Sequence, residues 1–317
     1  MTRIGSSSLD VLPLSLGGNV FGWTADRDAS FAILDAFTAG GGDFIDTADS
    51  YSAWVPGNSG GDSERIIGEW LASRRPEGVV VATKVSQHPE FKGLAGANVR
   101  AAAEASVTRL GVEAIDLYYA HFDDESVPLE ETVAAFGALV TEGLVRYTAV
   151  SNYSAERIRE WIRIADELGV ARPVAVQPHY NLVHRNDVEE HIVPLAQEFD
   201  LSLVPYFALA KGFLTGKYRS TDASAHSSPR AAGASAYATT QGLQIIDALE
   251  GIGRTHGVSI AATALAWLRA QPTVAAPIAS ASRVDQVADL LDGARVELSA
   301  DELDQLDRVS EWTPAAV

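Results

Sequence analysis

The 317-residue chain has no cysteine. Disulfides, thiolate catalysis and cysteine-based zinc sites are therefore excluded. It is also poor in positive charge, with 24 Lys and Arg against 42 Asp and Glu, a formal net charge of −18. So acidic a surface repels nucleic acid and anionic lipid, and neither is expected as a partner; solubility alone accounts for the charge. No apolar run is long enough to span a bilayer. The opening MTRIGSSSLDVLPLSLGG lacks the basic start and long apolar stretch of a secretory signal, so the expected compartment is the cytoplasm. The dinucleotide fingerprint G-x-G-x-x-G is missing too: the first strand candidate ends in GGNVFG, which does not fit a Rossmann turn.

What is present is alternation. Short apolar, β-rich runs occur at LSLGG, GGDFIDTA, VVVATKV, IDLYYAH, RYTAVSN, PVAVQ, LSLVPYF and VAAPIAS, nearly all separated by helical patterns. Among the helices, Ser63 is the expected cap of one whose apolar face carries Ile66, Ile67, Trp70 and Leu71. VVVATKV at 79–85 is a continuous apolar run, as in a strand buried on both faces. Eight βα units and no linker predict a single (β/α)8 TIM barrel over residues 1–317, with a doubly wound sheet as the competitor. Long irregular stretches at 51–62 and 211–240 are candidate functional loops.

Polar residues close the strands: Asp46, Lys84, His121, Asn152, Gln177 and Tyr206, at intervals of 38, 37, 31, 25 and 29 residues. Each interval is about one βα unit, so in a barrel these residues ring the C-terminal mouth, where this fold keeps its chemistry. A Lys or Asp ending a buried strand is costly unless it is paired or used. Tyr51 lies five residues past Asp46, on the loop above that ring. Singly, each residue has a plainer reading: a turn, a snorkelling lysine, a core histidine, a helix cap, simple packing.

The successive segments FIDTADSY, VATKV, YYAHFDD, AVSNYS, AVQPHYNLVHR and PYFALAKGFLTGKY resemble the strand-end motifs of the aldo-keto reductases, over about residues 14–291. The resemblance implies a carbonyl reductase of small molecules using NADPH, with NADH open, whose catalytic tetrad is Asp46, Tyr51, Lys84 and His121. It implies that Tyr51 gives the proton, that Asp46 keeps Lys84 charged, and that His121 orients the substrate oxygen. Since an ammonium favours phenolate, Lys84 is expected to lower the Tyr51 pKa from its reference of about 10. The resemblance further implies that Ser151, Asn152 and Gln177 hold the nicotinamide carboxamide, and that Tyr206 stacks on its ring. Leu209 and Lys211 fall in the pyrophosphate strap, and Trp23 and Trp54 at the substrate pocket. Ser280, Ser282, Arg283 and Gln286 fall in the adenosine-phosphate segment, where Arg283 is the one cation and Leu290 replaces the family's usual asparagine.

Two other functions fit parts of the pattern. A Schiff-base lyase or aldolase would use Lys84 as a neutral nucleophile. A slow-turnover regulatory or binding module would share the fold. Gly57–Gly61, GFLTGKY and the His184/His191 region imitate hydrolase, P-loop and metal motifs, but their context or spacing fits none of these. No metal is expected.

Overall fold

The computed structural model describes residues 1–220, 222 and 228–311. Eight parallel strands form one sheet: β3 (Ser15–Gly17), β4 (Phe44–Asp46), β5 (Val80–Val85), β6 (Ile115–Ala120), β7 (Val145–Ser151), β8 (Pro173–Gln177), β9 (Ser202–Leu203) and β10 (Ile278–Ala279). They pair in chain order, with β10 beside β3. The remaining seam is bridged by backbone: Leu203 N donates to Thr273 O at 2.8 Å, Ala275 N to Leu203 O at 2.9 Å and Ile278 N to Pro205 O at 2.8 Å. The sheet thus curls round on itself as the TIM barrel that the alternation predicts.

Helices follow the strands for reasons visible in the sequence. In α1 (Arg27–Ala39) the Asp26 side chain caps the first turn, accepting from Ala29 N at 2.9 Å. In α5 (Ala155–Leu168), capped by Ser154, the buried residues Ile158, Trp161, Ile162 and Ala165 make the stripe that faces the barrel. In α11 (Ala300–Val309), Ser299 and Glu302 form a capping box. Ser63 departs from expectation: it lies inside the first turn of α2 (Asp62–Arg74). Its hydroxyl instead donates to Gly18 O and accepts from Thr47, both at 2.8 Å, tying β3 and β4 together at the mouth. The 211–240 stretch is also more ordered than expected where it is described, with a 3-10 turn at Ala210–Thr215 and α7 (Ala231–Ser235); residues 221 and 223–227 of it lie outside the described residues.

The barrel interior holds Phe44, Val80, Ala82, Leu117, Tyr119, Ala149, Ala175 and Val204. Its lower end is plugged by a hairpin that periodicity did not announce, β1 (Thr2–Arg3) with β2 (Asp10–Val11), which adds Ile4, Leu9 and Val11 to that cluster. The plug is held through Gly5 N donating to Ser202 Oγ at 2.7 Å and Leu12 N to Asp43 Oδ1 at 2.7 Å. Gly5 has φ +49°, and a Cβ there would stand 2.2 Å from Val174 O. Gly5→Ala should therefore cost about 1–3 kcal/mol, from backbone strain and overpacking at the plug. A urea unfolding curve with an unchanged midpoint would show that the plug tolerates a side chain.

Candidate active site

The parallel register brings the strand-end residues together at the upper mouth. Asp46 lies beside Ala82, Lys84 beside Tyr119, and Ser151 beside Gln177. Lys84 is wholly buried and Asp46 is 1% exposed, so neither charge is solvated by water. Protein groups replace it. Lys84 Nζ donates to Asp46 Oδ2 at 2.6 Å, to Thr47 O at 2.7 Å and to the Tyr51 hydroxyl at 2.9 Å. Three acceptors match the three protons of an ammonium. Gln177 Nε2 donates to the other Asp46 oxygen at 2.9 Å.

Burial acts against every charge here. It would pull the Lys84 ammonium down, but Asp46 and Tyr51 more than restore it, so Lys84 stays charged. For Tyr51 the net direction is upward: burial outweighs the pull of Lys84, and the phenol stays neutral. This corrects the expectation of a lowered phenol, which counted the cation and not the desolvation. His121 is pushed well below the usual histidine range by burial and then by Lys84, leaving a neutral imidazole 6.1 Å from the Tyr51 ring, centre to centre.

A cavity of about 560 Å³ opens over this network. Asp46, Tyr51, His121, Ser151, Asn152, Gln177, Tyr206, Leu209 and Lys211 all line it, as do Trp54, Ser280, Ser282, Arg283 and Gln286. Trp23 stands behind Trp54, edge to face at 5.6 Å. Its loop is tied to that of Tyr51 by Asn58, whose amide donates to Gly22 O at 3.1 Å and Ser52 O at 3.0 Å. Asn152 is strained, at φ +57°, and both its amide protons are used, on His121 O at 2.9 Å and Ser151 Oγ at 3.1 Å. Its oxygen accepts from the Tyr206 hydroxyl at 2.8 Å. Tyr206 is backed by His179, whose ring stacks at 5.4 Å, and this orients one aromatic face of the shelf. Beyond β10, the Gln286 side chain folds back to accept from Ser282 N at 2.9 Å and Arg283 N at 3.2 Å. Arg283 is exposed and grips Asp285 through two bonds of 3.0 and 2.9 Å.

Sequence reasoning passed over Asn19, Thr24, Phe122, Lys217 and Arg230, which also line the cavity. Only Asn19 shows how it could have been found: it lies two residues past the end of β3, and it accepts from Ser280 Oγ at 2.7 Å.

Comparison with known proteins bears on what this geometry is for. The model of the Aldo/keto reductase family matches residues 13–311. The chain belongs to the aldo/keto reductase family. Among curated relatives it is 32% identical over 299 residues to a protein of Oryza sativa subsp. japonica named "Probable voltage-gated potassium channel subunit beta", covering 90% of this chain and 88% of the relative. It is 30% identical to "Uncharacterized oxidoreductase YrpG" of Bacillus subtilis (strain 168), covering 97% and 95%. It is 28% identical to "Norsolorinic acid reductase B" of Aspergillus parasiticus, covering 98% and 83%.

Aldo/keto reductases generally use NAD(P)H. The cavity suits such a group: it is lined by a supported aromatic face, the polar side chains of Gln177 and Ser151, and the cations Lys211, Lys217, Arg230 and Arg283. No helix in the described residues is long and apolar enough to cross a membrane.

The buried pair makes a quantitative prediction for this aldo/keto reductase. Lys84→Met alone should cost about 3–5 kcal/mol of stability, because Asp46 is left buried without its counter-charge. Adding Asp46→Asn should recover a good part of that loss in a double-mutant cycle. Strictly additive losses would mean that the two side chains are not coupled.

Proposed function

We propose that this protein reduces an aldehyde or ketone to the alcohol with NADPH, Tyr51 being the proton donor. The observation that carries the reading is the hydrogen bond from buried Lys84 to the Tyr51 hydroxyl. When bound, the reduced dinucleotide supplies a hydride to the carbonyl carbon. The Tyr51 hydroxyl gives its proton to the carbonyl oxygen, and the phenolate left behind forms beside the Lys84 ammonium. Burial keeps the phenol loaded at neutral pH, and Lys84 stabilises the anion that appears only as the proton leaves. Neutral His121 donates to the same oxygen and fixes its approach. Ser151, Gln177 and the Asn152 side-chain oxygen hold the carboxamide, Tyr206 offers the stacking face, and Leu209 and Lys211 strap the pyrophosphate. Ser280, Ser282, Arg283 and Gln286 take the adenosine phosphate, and Trp54, supported by Trp23, walls the substrate.

Two alternatives are weaker. A Schiff base needs a neutral, reachable lysine, whereas Lys84 is sealed beneath Tyr51 with all three protons engaged. The rice relative's name suggests an auxiliary channel subunit, and the assembled donor network favours turnover over a purely regulatory part.

Tyr51→Phe should bind NADPH normally and lose about 10²–10⁴-fold in kcat. A variant keeping a tenth of wild-type kcat in stopped-flow turnover would remove Tyr51 from its role. Since the folded phenol is raised and acts in its protonated form, reduction should be lost only as pH climbs above the ordinary phenol value of about 10. Whatever rate survives in Lys84→Met should carry its alkaline limb to still higher pH, because the largest downward pull on the phenol is gone. An unmoved limb would make Lys84 merely structural.

The cofactor preference rests on Arg283. One charge-assisted bond to the 2′-phosphate favours NADPH over NADH by about tenfold to a hundredfold. Its grip on Asp285 competes with that bond. Arg283→Ala should raise the Kd for NADPH and leave that for NADH nearly alone, as read by quenching of protein fluorescence. Equal weakening of both would show that Arg283 does not read the phosphate.

A further inference from the structure

Behind the aromatic shelf stands a pair of side chains with no part in the proton transfer. The imidazoles of His179 and His184 are stacked face to face, 3.8 Å between centres and 11° from parallel. His179 in turn stacks on Tyr206, at 5.4 Å and 24°. The three rings make a pile that runs from the main cavity, which Tyr206 lines, to a second cavity of about 170 Å³, which His184 lines. Backbone fixes the pile at both ends. Tyr206 N donates to Pro178 O at 2.9 Å, which sets Tyr206 beside His179. His184 N donates to Asn181 O at 2.9 Å and Asn181 N returns the bond to His184 O at 3.2 Å. The Asn181 amide donates to Phe207 O at 2.9 Å, so this turn is anchored to the segment after β9 and folds His184 back over His179.

The two imidazoles differ in their access to a proton. His179 Nε2 is buried, and among the described residues no hydrogen-bond partner reaches it. Burial, then His184, then Lys211 hold His179 down to about 4. His184 is exposed at its edge and covered on one face by His179. That cover lowers it, and Asp187 pulls it back up. The other titratable groups round the pile are Tyr206 itself, Lys211 of the strap turn, whose Nζ lies 5.3 Å from the Phe207 ring, and Arg185 and Tyr237, which share the second cavity with His184. A proton arriving from solution therefore goes to His184, at a pH below the ordinary histidine value of about 6.5. It places a positive charge one ring behind Tyr206.

We propose that His184, acting through His179 and Tyr206, is the residue by which this protein tells the oxidised dinucleotide from the reduced one, and that it does so according to pH. The proposal rests on the reading of Tyr206 as the nicotinamide shelf. The two redox forms differ in charge only at the nicotinamide ring, which is a cation when oxidised and neutral when reduced. A charged His184 repels the first and not the second. Whatever else the proton alters, such as the set of the shelf or the pull of Lys211, acts on both forms and cancels in the ratio of their affinities. The phosphates, common to both forms, cancel as well. As the pH falls, the protein gives up the oxidised form and keeps the reduced one. That bias favours carbonyl reduction, which itself consumes a proton.

The test is the ratio of the Kd for NADP+ to the Kd for NADPH, read by quenching of protein fluorescence from about pH 8 down to about pH 5.5. In wild type the ratio should be flat above about pH 6.5 and climb below it. The climb should approach about threefold to tenfold as His184 becomes charged, as for two charges separated by an intervening ring in a half-solvated site. His184→Phe keeps a ring in the pile and removes the proton, so its ratio should stay flat. Linkage demands the reciprocal effect in the wild type alone. Followed by NMR, the His184 imidazole should titrate at a pH about 0.5–1 lower with NADP+ bound than with NADPH bound. A wild-type ratio that stays flat to about pH 5.5 overturns the proposal. So does a climb that persists in His184→Phe, or a His184 imidazole that titrates alike in the two complexes. If Tyr206→Ala left the Kd of both forms unchanged, the reading of Tyr206 as the shelf would fall instead.

Discussion

The contact between Lys84 and Asp46 is the constraint around which the mouth of the barrel is built. Each charge would be prohibitively costly alone in an environment without water. Together, with Thr47 O, Tyr51 and Gln177 filling their remaining positions, they form a closed polar network under the cavity floor. The network reaches the cavity through Tyr51, and Asp46 and Gln177 line it too. A cation held behind a neutral phenol contributes little while the proton is in place and much as it departs. This is the differential stabilisation that catalysis requires.

The barrel supplies the rigidity such a network needs. Asp46, Lys84 and Gln177 come from β4, β5 and β8, so their spacing is fixed by strand register, while Tyr51 is brought to them by the loop after β4. The loops contribute the rest of the mouth: Trp54 after β4 with Trp23 after β3 beside it, Phe122 after β6, and Arg230 beside α7. The channel-subunit name carried by the rice relative and the reductase name carried by the Aspergillus relative belong to proteins matched across most of this same framework.

Much of this was legible in the sequence because strand ends recur at barrel intervals. The interval of 38 residues from Asp46 to Lys84 placed two charges on neighbouring strands, and a charge at the end of VVVATKV signals itself by its cost. Three features were not legible, each for a physical reason. The plug of β1 and β2 consists of two-residue strands, too short to carry a period. Arg230 lies in a stretch of Ser, Ala, Gly and Pro, where nothing in the spacing says which way a side chain turns. The direction of the Tyr51 shift depends on how completely the phenol is desolvated, a property of the packed mouth that a list of neighbouring residue types omits.

The central claim is that burial, set against Lys84, keeps Tyr51 a neutral, loaded acid until the reaction draws its proton. It is tested most directly by NMR titration of the cofactor-free protein labelled with carbon-13 at the tyrosine ζ position. The Tyr51 signal, one of nine, is identified by its absence in Tyr51→Phe. The account predicts that this carbon keeps the neutral-phenol shift through neutral pH and past about pH 10. A phenolate shift already present near neutral pH would contradict it, and would mean that Lys84 ionises Tyr51 in the resting protein.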